Sequence, residues 1–310
     1  MQSWMIACIV VAGVVLALAL AFLIGSFVAV KKILGGNKKT PTGETPEKYG
    51  VDAAWFDEFG GRIETVEIKS YDGLTLRALL LRQQGEGAHK VAICQHGYGA
   101  TPKSMQPQAK IFYERGFDVL LPAARAHAMS EGKYIGMAWL DRFDILRWVD
   151  KAIEIFGKSV SIALAGTSMG GSSVIAAAGM TLPPQVKCVI DDCGFSSQYE
   201  EYAAHVKRVK LPTSITLLPL VVGVKLFLGY SVSEADIKPL AAKMRVPALF
   251  IHGEKDAYVP YDLGVKLYEA CGSPDKQFYS VEGAAHAMAY AADKEKYVEV
   301  FGGFVDKYIK

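Results

Sequence analysis

The chain follows two hydrophobic patterns in succession. Over residues 4–30 no side chain is charged and Ser26 is the one hydroxyl. That leaves about 27 apolar residues, enough for a helix to cross a bilayer with some tilt. From Tyr49 onward the apolar positions come in short bursts instead. Residues 62–70 and 74–82 flank Asp72-Gly73, a hairpin signal, and predict two antiparallel edge strands. Brief apolar runs at 91–94, 117–121, 160–165, 186–190, 246–251 and 277–281 have the character of buried strands. Helices are expected between them. One starts at Thr101-Pro102, a capping residue followed by proline, and ends near Gly116. Over 137–156, Leu140, Phe143, Ile145, Leu146, Val149, Ile153 and Phe156 stand near helical spacing and predict an amphipathic helix. Further helices are expected over 172–180, 261–271 and 293–308. Strands alternating with helices imply an α/β fold, a mostly parallel central sheet with helices on both faces. No internal repeat interrupts the pattern.

One interval breaks the alternation. Between Asp192 and Ala235 there is no clear strand, and an apolar run over 211–230 is interrupted by Pro212, Pro219 and Lys225. Two prolines and a lysine make it a poor second span. A small helical cap over about 196–235 is the preferred reading, its apolar face receiving an acyl or other hydrophobic group, with docking on the bilayer surface as the other. The chain thus divides into a transmembrane anchor (1–34), a linker rich in Gly, Asn, Lys, Thr and Pro (35–48) and one domain (49–310) containing the cap.

A cleaved signal peptide is the rival reading of the first run. No basic segment precedes it, and apolar sequence continues past Ala17-Leu18-Ala19, the one stretch resembling a cleavage site, so an anchor is preferred. Lys31, Lys32, Lys38 and Lys39 follow the span and no Lys or Arg precedes it, which by the positive-inside rule puts the domain in the cytoplasm. Cys8 has almost no hydrophobic segment before it, which argues against lipidation. The net charge of +2, with basic and acidic residues interspersed, indicates neither a nucleic-acid surface nor a strongly acidic partner. Five cysteines without a Cys-x-x-Cys pair argue against a disulfide framework and a zinc site, and free thiols suit a reducing compartment.

The chemistry concentrates at Gly166-Thr167-Ser168-Met169-Gly170. An apolar strand runs into it and a helix-compatible run leaves it. A serine at such a turn is held in a strained backbone that pushes its hydroxyl out of the carboxyl edge of the sheet, and the glycines let strand and helix approach. A nucleophilic serine needs a base and an acid that orients the base. His286 lies after the last predicted strand, and Asp256, in His252-Gly253-Glu254-Lys255-Asp256, precedes it at a strand end, in the order such a hydrolase requires. Asp191 and Asp192 end an earlier strand and are the alternative acids. Each residue taken singly has a plainer reading, as helix cap, turn carboxylate or loop histidine; their joint order favours catalysis. An oxyanion needs backbone N–H donors, and those of Tyr98, in His96-Gly97-Tyr98-Gly99, and Met169 occupy the expected places. His96 reads as structural, His127 as fixing its loop, His252 as packed, and His89 and His205 as surface residues. No two histidines stand at metal-ligand spacing, so neither metal nor cofactor is implied.

From about residue 65 to 310 the chain resembles the serine α/β-hydrolase superfamily, particularly bacterial membrane-anchored hydrolases of esterase, lipase-like and peptidase-like kinds. The carrying segments are His96-Gly97-Tyr98-Gly99, Arg125-Ala126-His127 with Ser130-Glu131-Gly132, the Ser168 elbow, His252 through Pro260, and Gly283 through His286. Similar proteins usually carry Asp-x-Arg-x-His-Gly-x-Ser before the amphipathic helix. Here Ala123 stands for the aspartate and Ala128 for the glycine. The resemblance implies an α/β-hydrolase fold and hydrolysis of an ester-type bond of a small or acylated substrate through an acyl-enzyme. It does not discriminate among substrates, because the fold hosts many activities. A thioesterase or lipase acting on membrane-derived acyl groups fits the anchor and cap. A short-peptide peptidase would need a charged group to hold a peptide terminus, and the sequence offers no evident one. From another class, a non-catalytic ligand-binding protein on this scaffold is the alternative.

Overall fold

A computed structural model describes residues 3–36, 46–84 and 89–310. The chain begins with α1 (Ser3–Leu34), a helix long and apolar enough to cross a membrane. Two 3-10 segments (Pro46–Tyr49 and Ala53–Arg62) lead to β1 (Ile63–Lys69), β2 (Thr75–Leu81) and β3 (Lys90–Gln95). The alternation then runs α2 (Gln106–Tyr113), β4 (Asp118–Pro122), α3 (Asp141–Phe156), β5 (Ser161–Thr167), α4 (Met169–Ala178), β6 (Val186–Asp192). The cap follows as α5 (Gln198–Arg208) and α6 (Thr213–Leu228), with the short α7 (Lys238–Ala241) behind it. The chain ends with β7 (Ala248–Gly253), α8 (Tyr261–Ala270), β8 (Lys276–Val281), the short α9 (Ala289–Ala292) and α10 (Lys294–Tyr308).

The eight strands form one sheet in the order β1-β2-β4-β3-β5-β6-β7-β8. From β4 to β8 all pairings are parallel, while β2 runs antiparallel to both β1 and β4. Two edge strands were expected from the hairpin. β1 is an edge; β2 is interior, because Leu79 and Leu81 pair with Leu121 and Val119 of β4. Side chains on one face pack with α3, α4 and α8, and those on the other with α2, α10 and the aromatic cluster Trp55, Phe56 and Phe59. Both faces are covered, so β5 is buried almost throughout, as a parallel sheet requires.

Helix starts differ from the periodicity in two places. The helix expected from 137 begins at Asp141, because Met137 and Ala138 have positive φ (47° and 66°) and the Ala138 N–H donates to the Asp141 carboxylate at 2.9 Å. The helix expected over 101–116 opens instead with a 3-10 turn (Pro102–Met105) and is α-helical from Gln106 to Tyr113. The apolar run over 211–230 is α6, whose 16 residues are fewer than the ~20 a perpendicular span needs.

Most of the linker expected over 35–48 lies outside the described residues, as do Lys38 and Lys39. Its first two residues are bound to the domain: Gly35 forms an antiparallel bridge with Tyr134, and Gly36 N–H donates to the Lys133 carbonyl at 3.0 Å, while Ile135 N–H donates to the Leu34 carbonyl at 2.7 Å. The end of α1 is likewise part of the domain. Residues 3–25 are exposed, whereas Ser26, Val30 and Leu34, at i, i+4 and i+8, are buried, the first two against α6 of the cap. Gly223 of α6 makes this possible, since a Cβ there would lie 2.6 Å from Val30 Cγ2 and 2.7 Å from the Ser26 carbonyl. Phe227 packs edge-on against Phe27 at 5.4 Å.

A chain lacking residues 1–36 therefore loses two fully buried side chains, Val30 and Leu34, each worth roughly 1.5–3 kcal/mol. It is expected to melt roughly 10 °C below a chain lacking only 1–22. Thermal melts of both in one detergent check this. Equal midpoints would mean that the last turns of α1 contribute no packing.

Candidate active site

The sharp turn forms where the sequence places it. Ser168 sits between β5 and α4 with φ 56° and ψ −120°, a conformation costly for a residue with a Cβ and held here by the strand and helix on either side. Its N–H donates to the Asp192 carbonyl of the neighbouring strand at 2.7 Å. The flanking glycines are required by contact: a Cβ on Gly166 would lie 2.2 Å from the Gly170 carbonyl oxygen, and one on Gly170 would lie 2.0 Å from that of Gln95. Met169 opens α4, so its N–H is among those a helix leaves without an internal partner.

Asp256 follows β7 and is buried. Its Oδ1 accepts from the backbone N–H groups of Tyr258 and Val259, both at 2.9 Å, and its Oδ2 accepts from His286 Nδ1 at 2.7 Å. His252 Nε2 lies 3.4 Å from the same Oδ2 and 3.1 Å from the Val259 carbonyl. Burial alone raises the Asp256 carboxyl, but the hydrogen bonds from His252 and His286 outweigh it and hold the group at about 2. Because Nδ1 of His286 faces the carboxylate, Nε2 is the nitrogen left for chemistry. The alternative acids are engaged elsewhere. Asp191 accepts from Gly194 N–H at 2.9 Å, and burial pushes its carboxyl up to about 7. Asp192 accepts from Tyr297 Oη at 2.8 Å and Gln108 Nε2 at 3.4 Å, and burial raises it too.

The loop carrying Tyr98 is held by two neutral histidines. His96 Nδ1 meets the Gly97 carbonyl at 2.7 Å while its Nε2 accepts from Ala124 N–H at 3.0 Å. His127 Nδ1 meets the Arg125 carbonyl at 3.0 Å while its Nε2 accepts from Gly99 N–H at 3.0 Å. Each ring thus donates at one nitrogen and accepts at the other. Burial lowers both, His96 to about 3. Arg125 is buried and grips Asp144 of α3 at 2.7 and 2.8 Å and Asp72 of the β1–β2 turn at 2.9 and 3.2 Å, fixing the loop after β4, which also carries His127, to the sheet edge. Ala128 occupies this loop with φ 43°, a region that suits glycine. Ala128→Gly is expected to raise stability by about 0.5–1 kcal/mol, the relief of strain exceeding the entropy glycine adds to the unfolded chain. Calorimetry should read this as about 1–4 °C in Tm; a fall in Tm would show that the backbone there is unstrained.

A family model for X-Pro dipeptidyl-peptidases (S15 family) matches residues 72–229, just over half of the chain, and one for serine aminopeptidases (S33) matches residues 221–293. The chain belongs to the serine α/β-hydrolase superfamily. Among relatives of this hydrolase, the YqkD protein of Bacillus subtilis is 29% identical over 217 residues, 70% of each chain. A putative esterase of the same organism, YitV, is 24% identical over 243 residues, 73% of this chain and 94% of its own. Among solved structures, the Pyrococcus furiosus esterase Pf2001 superposes with a TM-score of 0.67 at 20% identity, covering 89% of this chain and 99% of its own.

Beside Ser168 the hydrolase has a cavity of about 220 Å³, walled by Tyr98, Met137, Met169 and Phe195, by the cap residues Glu201, Tyr202 and His205, and by Tyr258 and Val259. The ring of Tyr258 lies 4.9 Å from that of His286, which connects the cavity to the Asp256–His286 pair. Lys32 and Ile33 of α1 complete the wall. The Tyr98 hydroxyl donates to the Ile33 carbonyl, so the loop expected to hold an oxyanion is fastened to the last turn of α1.

Sequence reasoning missed this cap wall. His205 was expected on the surface, but its Nε2 pairs with Glu201 Oε1 at 2.8 Å and its ring packs on Tyr258 at 4.6 Å. The i, i+4 spacing of Glu201 and His205 was the available signal. The second oxygen of Glu201 and the hydroxyl of Tyr202, two residues of the cavity wall, are buried with no hydrogen-bond partner among the described residues. His252 was expected to pack, and its contact with Asp256 adds a second histidine to the acid.

Among the described residues one cluster has metal-ligand proximity, Cys193, Asp256 and His286, whose donor atoms lie within 4.8 Å of one another. Its donors suit the hydrogen-bonded Asp256–His286 pair better than a cation. Both Asp256 oxygens already accept hydrogen bonds, and burial beside Asp192, Asp256 and Asp191 pushes the Cys193 thiol well above its ordinary value, which keeps it protonated.

Proposed function

We propose that this protein is a membrane-anchored serine esterase in which Ser168 is the nucleophile, His286 the general base and acid, and Asp256 the group that orients His286. The observation that carries the reading is the 2.7 Å hydrogen bond between Asp256 and His286 Nδ1, in a chain whose Ser168 stands on a strained elbow lining the adjoining cavity. The Ser168 hydroxyl attacks the ester carbonyl, its proton passes to His286 Nε2, and the tetrahedral oxyanion lies against the N–H groups of Tyr98 and Met169. Collapse breaks the ester C–O bond, and His286 returns the proton to the departing alkoxide. Water then attacks the acyl-enzyme with His286 as base, releasing the acid and restoring Ser168. No step calls for a cofactor. The apolar length of α1 supports an anchor, and Lys31 and Lys32 at its end support a cytoplasmic domain.

A second reading rests on Glu201. Its carboxylate belongs to the cavity wall, where a negative group suits the ammonium group of a peptide or aminoacyl substrate, and both matching family models describe peptidases. Aminoacyl amides and their N-acetylated forms separate the readings, since only an enzyme that binds the ammonium prefers the free amine.

The test of the first reading is fluorophosphonate labelling of the full chain in detergent beside a His286→Ala variant. Labelling of the wild type that weakens in the variant supports an activated serine. A folded protein that takes no label points to the non-catalytic, ligand-binding alternative.

A further inference from the structure

α1 is more than an anchor in this fold, because its last turn is a wall of the cavity. Its apolar surface is exposed as far as Val28, Lys31 and Lys32 follow at the solvent surface, and Ile33 already lines the space beside Ser168. At 1.5 Å per residue, the distance along the helix from Val28 to Ile33 is about 8 Å. The polar boundary of a bilayer spanned by α1 therefore falls within about two turns of the cavity.

The cap lies at the same level. α6 packs beside residues 26–30 of α1, and its outward side carries Ile215, Leu218 and Leu226 at 72%, 49% and 56% exposure, spaced along one face. Leu211, preceding α6, is also exposed, and the exposed Lys207, Arg208 and Lys210 alternate with this apolar surface. A second cavity of about 460 Å³ runs along α1 between Phe27 and Gly36, with Lys31 and Lys133 among its walls. Apolar side chains continuous with a span, edged by basic ones, match a leaflet of hydrocarbon beneath anionic headgroups. Water is a poor partner for such a face.

We propose that α6 sits in the membrane interface beside α1, and that the cavity takes the acyl chain of a membrane-dissolved amphiphilic ester directly from that leaflet. This rests on the esterase reading and on α1 being an anchor. The ester group of an amphiphile lies at the boundary between hydrocarbon and headgroups, the depth at which Lys32 and Ile33 open onto Ser168. The acyl chain then keeps an apolar environment from leaflet to cavity, past Ile33, Met137 and Phe195.

The experiment uses the full chain in vesicles of phosphatidylcholine and phosphatidylglycerol, with p-nitrophenyl acetate in water and p-nitrophenyl palmitate in the membrane. A variant carrying Ile215→Ser, Leu218→Ser and Leu226→Ser, none of which lines the cavity, is expected to keep its acetate rate within about twofold. Its palmitate rate is expected to fall about tenfold or more. Equal changes on both esters overturn the proposal. Wild type that cleaves acetate but not palmitate also overturns it while leaving the esterase reading intact, whereas wild type that cleaves neither removes the esterase reading itself. A second measurement is independent of turnover. In a Cys8→Ser background, a bimane label introduced by Leu218→Cys is expected to be quenched by doxyl lipids, as is one introduced by Leu16→Cys. Quenching at 16 without quenching at 218 places α6 in water and overturns the proposal.

Discussion

Ser168→Ala is expected to lower turnover of an activated ester by about four orders of magnitude or more and to abolish fluorophosphonate labelling. The size follows from what is lost. Without the hydroxyl no acyl-enzyme forms, and what remains is the stabilisation that the oxyanion donors and binding give to direct attack by water. The fold should survive: Ser168 holds its neighbours through its backbone, donating to the Asp192 carbonyl and accepting from Ser172 N–H at 3.0 Å, and alanine keeps both bonds. Matching thermal midpoints alongside a lost rate would tie the effect to the hydroxyl. Turnover within tenfold of wild type would remove Ser168 from the mechanism.

Asp256→Asn is expected to cost about three to four orders of magnitude in the same assay, while Asp191→Asn and Asp192→Asn remain within about tenfold. An amide at 256 cannot stabilise the imidazolium that forms during proton transfer, and it allows the wrong tautomer of His286. Burial raises the carboxyls of Asp191 and Asp192, so an amide there resembles the form that burial already favours. A larger loss at Asp191 or Asp192 than at Asp256 would reassign the acid.

The same carboxylate sets a sign for acid stability. Asp256 is held at about 2, below its ordinary 3.8, so its contribution to folding is complete above the unfolded value and is lost as the pH falls through the folded one. Wild type is expected to lose this stability between about pH 4 and pH 2, and Asp256→Asn to show a correspondingly shallower fall over that window. Urea midpoints across the interval measure it. Parallel slopes would show that the carboxyl is not held down by its two histidines.

Legibility differed by the range of the interaction. The Ser168 elbow was readable because five consecutive residues record it and Gly166 answers to Gly170 within them, although Gly170 itself answers to the distant Gln95 carbonyl. The strands of the central sheet were readable because burial on both faces demands uninterrupted apolar runs. The interior position of β2 was not, because it depends on β4 arriving beside it about forty residues later, and alternation in one strand does not name its partner. The late start of α3 was hidden as well: Met137 and Ala138 have apolar helical spacing, but a positive φ and the Asp141 carboxylate turn them into a loop.

The residues around the cavity divide the same way. Ser168, Asp256 and His286 are candidates already in the sequence because chain order and flanking motifs are local features, and the structure pairs Asp256 with His286. Glu201, Tyr202 and His205 carry no such record, since what brings them to Ser168 is the packing of the cap. α1 shows the contrast most directly. Its apolar length alone determined a helix fit to cross a membrane, because a bilayer selects for composition over a fixed distance. Only the tertiary structure decided that its last turns are buried against α6, bonded to Tyr98 and part of the cavity wall, because those contacts join residues up to about two hundred positions apart and depend on Gly223 having no side chain.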